Sequence, residues 1–171
     1  MHLIAWLRKR CAILGLYRQE AHMAPSTATH VAEALINLSH EKHDPVSNLK
    51  LQKLLYYAQA WYLALYGKPL FDDPIEAWVH GPVVPCVFRQ YREYRWTPIS
   101  AVYTQSPSRK IAIHLSNVWK VYGKSAAGKL ERLTHSEHPW KDARKGLPID
   151  APSHNVISVS SIKAYYSSLL K

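Results

Sequence analysis

The stretch from Ser47 to Tyr66 constrains this chain more than any other. Leu51, Leu54, Leu55, Ala58, Tyr62 and Leu65 recur at helical spacing, and from Leu54 onward Gln59 is the only strongly polar residue. A helix that is apolar nearly all round has no face to offer water, so other elements must surround it. The pattern therefore predicts a mainly α fold, a compact single-domain helical bundle around a buried central helix at about 47–66. Gly67 and Pro69 end that helix, because glycine takes a left-handed C-terminal position and proline blocks continuation. Lys50 and Lys53 fall in its first turns, where the helix dipole disfavours cations. Stability gives no reason for them there, so they are expected to face an acidic partner.

The flanking segments supply the surrounding elements. Val31, Leu35 and Leu38 predict a helix from Thr29, its expected N-cap, to His40, with Pro45 beyond its end. Ile75, Ala77 and Val79 alternate with Glu76, Trp78 and His80, then Gly81-Pro82 breaks the pattern and Val83-Val84 can return. This predicts a short β-hairpin near 75–84. Residues 85–95 read as a helix with Phe88, Tyr91 and Tyr94 near one side and Arg89, Arg92 and Arg95 near another, Arg89 pairing with Glu93. Residues 96–110 read as a loop. Further helices are expected at Ile111–Tyr122, from a Ser125 cap with Ala127, Leu130 and Leu133 turned inward, and at 139–144 from Pro139. The last should run from Ser158 to Leu170, burying Val159, Ile162, Tyr166 and Leu169.

A chain of 171 residues fits one domain. Its formal net charge is +10, of which the first 22 residues carry +3, from Arg8, Lys9, Arg10 and Arg18 against Glu20. The excess favours an acidic protein partner or nucleic acid. Residues 1–22 are expected to be an N-terminal extension lying upstream of a true start at Met23, or else a short basic arm, with 23–171 as the domain. Two cysteines, Cys11 and Cys86, provide no disulfide framework, which fits the cytoplasm. No apolar run approaches the roughly 18 residues of a membrane span, so no membrane partner is expected.

The common catalytic and nucleotide-binding signatures are missing: there is no Gly-rich phosphate loop, nucleophile elbow or CxxC pair. His40 and His43 are three apart, whereas a zinc-protease helix needs histidines four apart to face one metal. His135, Glu137 and His138 could form a metal site with His114 or His154, but the preferred reading is a polar loop before the Trp140 helix. The expectation is a protein with no enzymatic activity, no cofactor and no metal. Arg89, Arg92 and Arg95, interleaved with Tyr91 and Tyr94, keep open a nucleic-acid-binding regulator, although no recognisable binding motif accompanies them.

Three blocks carry a resemblance. They are Leu49-Lys50-Leu51-Gln52-Lys53-Leu54-Leu55-Tyr56-Tyr57-Ala58-Gln59, then Glu76-Ala77-Trp78-Val79-His80-Gly81-Pro82-Val83-Val84, then Leu133-Thr134-His135-Ser136-Glu137-His138-Pro139-Trp140-Lys141-Asp142-Ala143-Arg144. In this order the chain resembles the Panacea domain family, also described as SocA-like or phage-associated, over about residues 27–170. The resemblance implies an antitoxin that neutralises a cognate toxin by direct contact, usually encoded beside it. One type in the family is an adaptor that hands its toxin to an AAA+ protease. Some members add a DNA-binding domain, for which 22 residues are too few. The His138 position is often acidic in the family, which argues against a shared metal role for the third block.

Under this reading the partner-binding candidates fall into three groups. Trp78, His80, Gly81, Pro82 and Val83 sit on the hairpin, and His135, Glu137 and Trp140 on the third block. Lys50, Lys53, Arg89 and Arg92 provide charge to steer an acidic toxin. Aromatic anchors ringed by polar groups are typical binding hot spots. Trp78, Gly81 and Pro82 could equally lock the hairpin onto the central helix.

Overall fold

The computed structural model describes residues 26–171. Both readings of residues 1–22, and Cys11, lie outside them. The central helix α2 (Asn48–Tyr66) follows α1 (Ala28–Glu41). The side chain of Ser47 caps α2 by accepting from the Lys50 backbone N–H, and Gly67 closes it at φ 74°. Leu51, Leu54, Leu55, Tyr56, Ala58 and Ala60 lose all contact with solvent. Against α2 pack α1, α4 (Arg109–Val118), α5 (Ala127–Ser136), α7 (Val159–Ser168) and one strand of the hairpin. The architecture is thus the mainly α bundle around a buried helix that the periodicity predicts.

The hairpin pairs β1 (Glu76–Trp78) with β2 (Gly81–Val83), Ala77 opposite Pro82. Its flanks are covered. The Ala77 N–H donates to the Asn155 carbonyl and the Ile157 N–H to the Ile75 carbonyl, both at 2.8 Å. On the other side the Val84 N–H donates to Gln52 Oε1 of α2 at 2.9 Å. Neither edge is open for a further strand.

Several local expectations shift. The cap of α1 is Thr27, whose extended backbone lets its hydroxyl accept from the His30 N–H; Thr29 lies inside the helix. The helix expected over 85–95 stops early, as α3 (Pro85–Gln90) and a 3₁₀ turn, Arg92–Tyr94. Tyr91 turns inward at the break and shares a 2.8 Å hydrogen bond with the Tyr103 hydroxyl. Arg89, Arg92 and Arg95 therefore share no helix face, and Glu93 pairs with Arg92 at 3.0 Å instead of with Arg89. Ala126, not Ser125, stands at the N-cap of α5, without a side-chain bond. Leu133 and Val159, expected inward, are 39% and 49% exposed. The short helix α6 (His138–Ala143) carries Pro139 in its first turn, as anticipated.

An aromatic layer joins α2 to the π-helical turn Trp119–Gly123 that follows α4, and to α7. Tyr57 stacks on Tyr122 at 3.8 Å, the Trp61 indole N–H donates to the Tyr122 hydroxyl at 2.9 Å, and Trp61 meets Tyr166 edge-on at 5.0 Å. Such pairs contribute about 0.5–1.5 kcal/mol each beyond the area they bury. Here they fix the angle at which the last helix lies on the central one.

Candidate functional site

Beside the hairpin lies an open, mostly apolar cavity of about 660 Å³. The start of α2 contributes Asn48, Leu49 and Gln52, and the hairpin contributes Trp78, Val79, His80 and Val83. Phe88, Arg92, Arg95 and Trp96 line it from the segment after the hairpin, and Pro152 to His154 from the loop before the last helix. The size is that of cavities which enclose a drug-sized ligand.

The walls are held by hydrogen bonds that leave little freedom. The Trp78 indole N–H donates to Glu76 Oε2 at 2.7 Å, and His154 Nδ1 meets the same oxygen at 2.8 Å. Trp78 also packs edge-on against Phe88 and His154, at 4.9 and 5.7 Å between ring centres. Asn48 donates to the Phe88 carbonyl at 3.1 Å and accepts from Gln52 at 3.0 Å, tying α3 to α2. At the hairpin tip, His80 Nδ1 meets Glu131 Oε1 at 3.0 Å. A surface fixed before binding loses less entropy on docking.

Beneath the hairpin sits a buried polar layer. The Lys53 ammonium donates to the Pro82 carbonyl at 3.0 Å, and its side chain is fully enclosed. Burial lowers its pKa from 10.5 to about 7, and the charge of Glu131 opposes the shift. Gly81, at φ 93°, sits so close that a Cβ would come within 2.8 Å of Thr134 Oγ1 and 2.9 Å of Lys53 Nζ. Glu137 is enclosed by three tyrosines. Tyr56 and Tyr166 donate to its Oε2 at 2.9 and 2.8 Å, and Tyr57 donates to Oε1 at 3.3 Å. Burial pushes the Glu137 carboxyl above its usual range, and the three phenolic hydrogen bonds pull it back.

Arg144 is buried without an acidic partner among the described residues. Its guanidinium donates to the carbonyls of Ala77 (2.9 Å), Pro148 (3.0 Å), Ile149 (3.2 Å) and Ala151 (2.6 Å). It thereby fastens loop 147–152 to the hairpin, and this loop leads into Pro152 to His154 of the groove lining. The Trp140 indole N–H donates to the Trp78 carbonyl at 3.0 Å, and the His135 ring stacks on Trp140 at 4.1 Å. Burial lowers the His135 pKa.

The structure thus divides the candidates. Trp78, His80, Val83 and Arg92 come together in the groove. Arg89 is exposed but lines no part of it. Lys53, Gly81, Pro82, Glu137 and Trp140 are buried and support the site from behind, with His135 partly buried against Trp140. The expectation that the two lysines face a partner is corrected for both. Lys53 bonds inward, and Lys50, mostly buried, pairs with Asp44 at 3.0 Å and lies 5.5 Å from the Trp119 ring centre. The histidines weighed as metal ligands do not converge. His114 is buried against the Ala58 carbonyl at 2.8 Å, His154 is held by Glu76, and Glu137 by its tyrosines. No metal-capable cluster occurs among the described residues.

Sequence reasoning missed Trp96, Phe88, Leu49 and His154 in the groove, and Tyr56, Tyr57 and Tyr166 around Glu137. Trp96, in a stretch read as a loop, had one usable signal: a large apolar residue directly after a basic one in a segment otherwise small and polar.

Fold and groove define the class: a small, mainly α domain in which a buried helix and a hairpin hold open a preformed apolar groove. The chain belongs to the antitoxin SocA-like, Panacea domain family, whose model matches residues 51–141. It is 34% identical to Antitoxin SocA of Caulobacter vibrioides over 127 residues, 66% of this chain and 68% of that protein. No solved structure matches it. Among the described residues no helix is long and apolar enough to cross a membrane.

Proposed function

We propose that this protein is an antitoxin that neutralises a cognate toxin by direct protein–protein contact, with no bond made or broken. The observation that carries this reading is the family membership, with Antitoxin SocA as a relative over two-thirds of the chain. The preformed groove supports it, because rigid apolar surface with polar groups at its rim suits recognition of a partner. The toxin is encoded by an adjacent gene, the complex forms in the cytoplasm, and 23–171 is the working domain. Delivery of the toxin to an AAA+ protease is compatible with this reading and adds a second partner. The alternative of a nucleic-acid-binding regulator is weakened because its arginines are divided between α3 and the turn after it.

The test is expression of the neighbouring reading frame with and without this protein. Growth arrest by the neighbour alone, relief on co-expression, and co-purification of the two proteins are expected. Relief without physical association, or arrest that co-expression leaves unchanged, would overturn the reading. Loss of the toxin from protease-competent cells but not from protease-deficient cells would identify the adaptor route.

A further inference from the structure

We propose that the groove takes a segment of a partner protein in which one large apolar side chain neighbours a carboxylate, the apolar group lying on Trp78 and the carboxylate meeting Arg92 and Arg95. This rests on the antitoxin reading for the identity of the partner, while the chemistry comes from the groove itself.

Three observations carry it. The first is Trp96, which lines the groove yet is 75% exposed. It follows Arg95, whose φ of 51° and ψ of −111° are rare for a residue with a side chain. The chain is pinned immediately afterwards. The Thr97 N–H and hydroxyl both donate to the Tyr94 carbonyl, at 2.8 and 2.6 Å, and the Ile99 N–H donates to the Val46 carbonyl at 2.8 Å. The strained backbone therefore holds an indole out over the cavity on a fixed frame. Strain of this kind persists where surrounding structure imposes it, often at ligand clamps.

The second is the asymmetry of charge. Arg92 and Arg95 both line the groove. Among the described residues, Arg92 meets only the carboxylate of its solvent-exposed sequence neighbour Glu93, and no carboxylate pairs with Arg95. His80 and His154 line the groove too but are each already engaged, by Glu131 and Glu76. An occupant's carboxylate is thus drawn to the arginines and not to the histidines, whose carboxylate partners repel it. The third is the apolar part of the lining, formed by Leu49, Val83, Phe88 and the two indoles. It favours an aliphatic or aromatic side chain. It disfavours a phosphodiester backbone, which needs cations along its whole length and would pass close to Glu76 and Glu131.

The experiment uses the isotope-labelled full chain and follows the indole N–H signals of Trp78 and Trp96. Short capped peptides are titrated in which Leu, Phe or Trp adjoins Asp or Glu, with the Asn and Gln analogues as controls. Saturable shifts of both signals are expected, with carboxylate peptides binding about 5-fold tighter than their amides. That preference should vanish in the Arg92→Gln/Arg95→Gln variant. No saturable shift, or equal affinity for acid and amide peptides, overturns the proposal. So does tighter, competing binding of a short DNA duplex or RNA at the same signals. A dimer of this chain that blocks peptide binding and is broken by Ile149→Ser would also overturn it, since exposed Ile149 and Asp150 carry the same chemistry.

In cells, Trp96→Ser and Arg95→Glu should protect less against the neighbouring toxin than wild type, while Val102→Ser, as exposed as Trp96 but outside the groove lining, should protect fully. If wild type and both groove variants protect and capture the toxin alike, the groove assignment fails and the antitoxin reading stands. If wild type itself neither protects nor captures, the antitoxin reading fails, and the peptide titration alone decides the groove.

Discussion

Replacing Lys53 by methionine should flatten a rise in stability that wild type shows between about pH 7 and pH 9. Lys53 is fully enclosed, and its folded-state pKa lies at about 7 against 10.5 for a free lysine. Between those values the unfolded chain holds a proton that the folded protein has released. Stability therefore climbs with pH, by up to about 1.4 kcal/mol per unit. Integrated from about pH 7 to about pH 9, the lysine contributes a gain of about 2 kcal/mol. Methionine keeps the length and packs flexibly, but leaves the Pro82 carbonyl without its donor, a loss of about 1–3 kcal/mol that is independent of pH. Burial also raises the pKa values of Cys86 and several core tyrosines, which lowers stability at the alkaline end. Those groups are present in both proteins, so they cancel in the difference. Urea unfolding of both proteins across this range measures it. A difference between wild type and Lys53→Met that stays constant with pH would refute the argument, because it would mean the ammonium remains charged in the folded state.

Other sites should respond as their surroundings dictate. Glu137→Ala strands three buried phenolic hydroxyls and should cost about 3–5 kcal/mol in denaturant unfolding, whereas Glu137→Gln, which keeps an acceptor and the shape, should cost about half as much or less. Gly81→Ala demands both a left-handed backbone and space that Thr134 and Lys53 occupy, so it should lose about 2 kcal/mol or more, read as a lower midpoint in the same assay. Arg144→Met removes the donor shared by four carbonyls. Limited proteolysis should then cut within 147–152 at least about 10-fold faster, and an unchanged rate would show that the loop is held by something else.

Part of this molecule was legible one residue at a time. The apolar run of α2 and its Gly67 stop, the alternation of the hairpin and the Pro139 start of α6 are local effects. Each depends on neighbours within a turn or a strand, and each was readable as such. The helix over 85–95 was misread for a related reason. Its spacing was helical, but the inward turn of Tyr91 is set by Tyr103, which lies beyond the reach of any local pattern.

Charge and partnership were harder to read. Lys53 and Glu137 read as surface chemistry because charged residues are rarely buried. The fold encloses both, since the Pro82 carbonyl and the hydroxyls of Tyr56, Tyr57 and Tyr166 arrive from up to 81 residues away. Likewise Trp78 and Trp96 sit on separate segments, and nothing in their spacing announces that they face one cavity. Periodicity says which side of an element turns inward. Only the packing of distant segments decides what it meets there, and so which polar groups become scaffold and which remain free to bind.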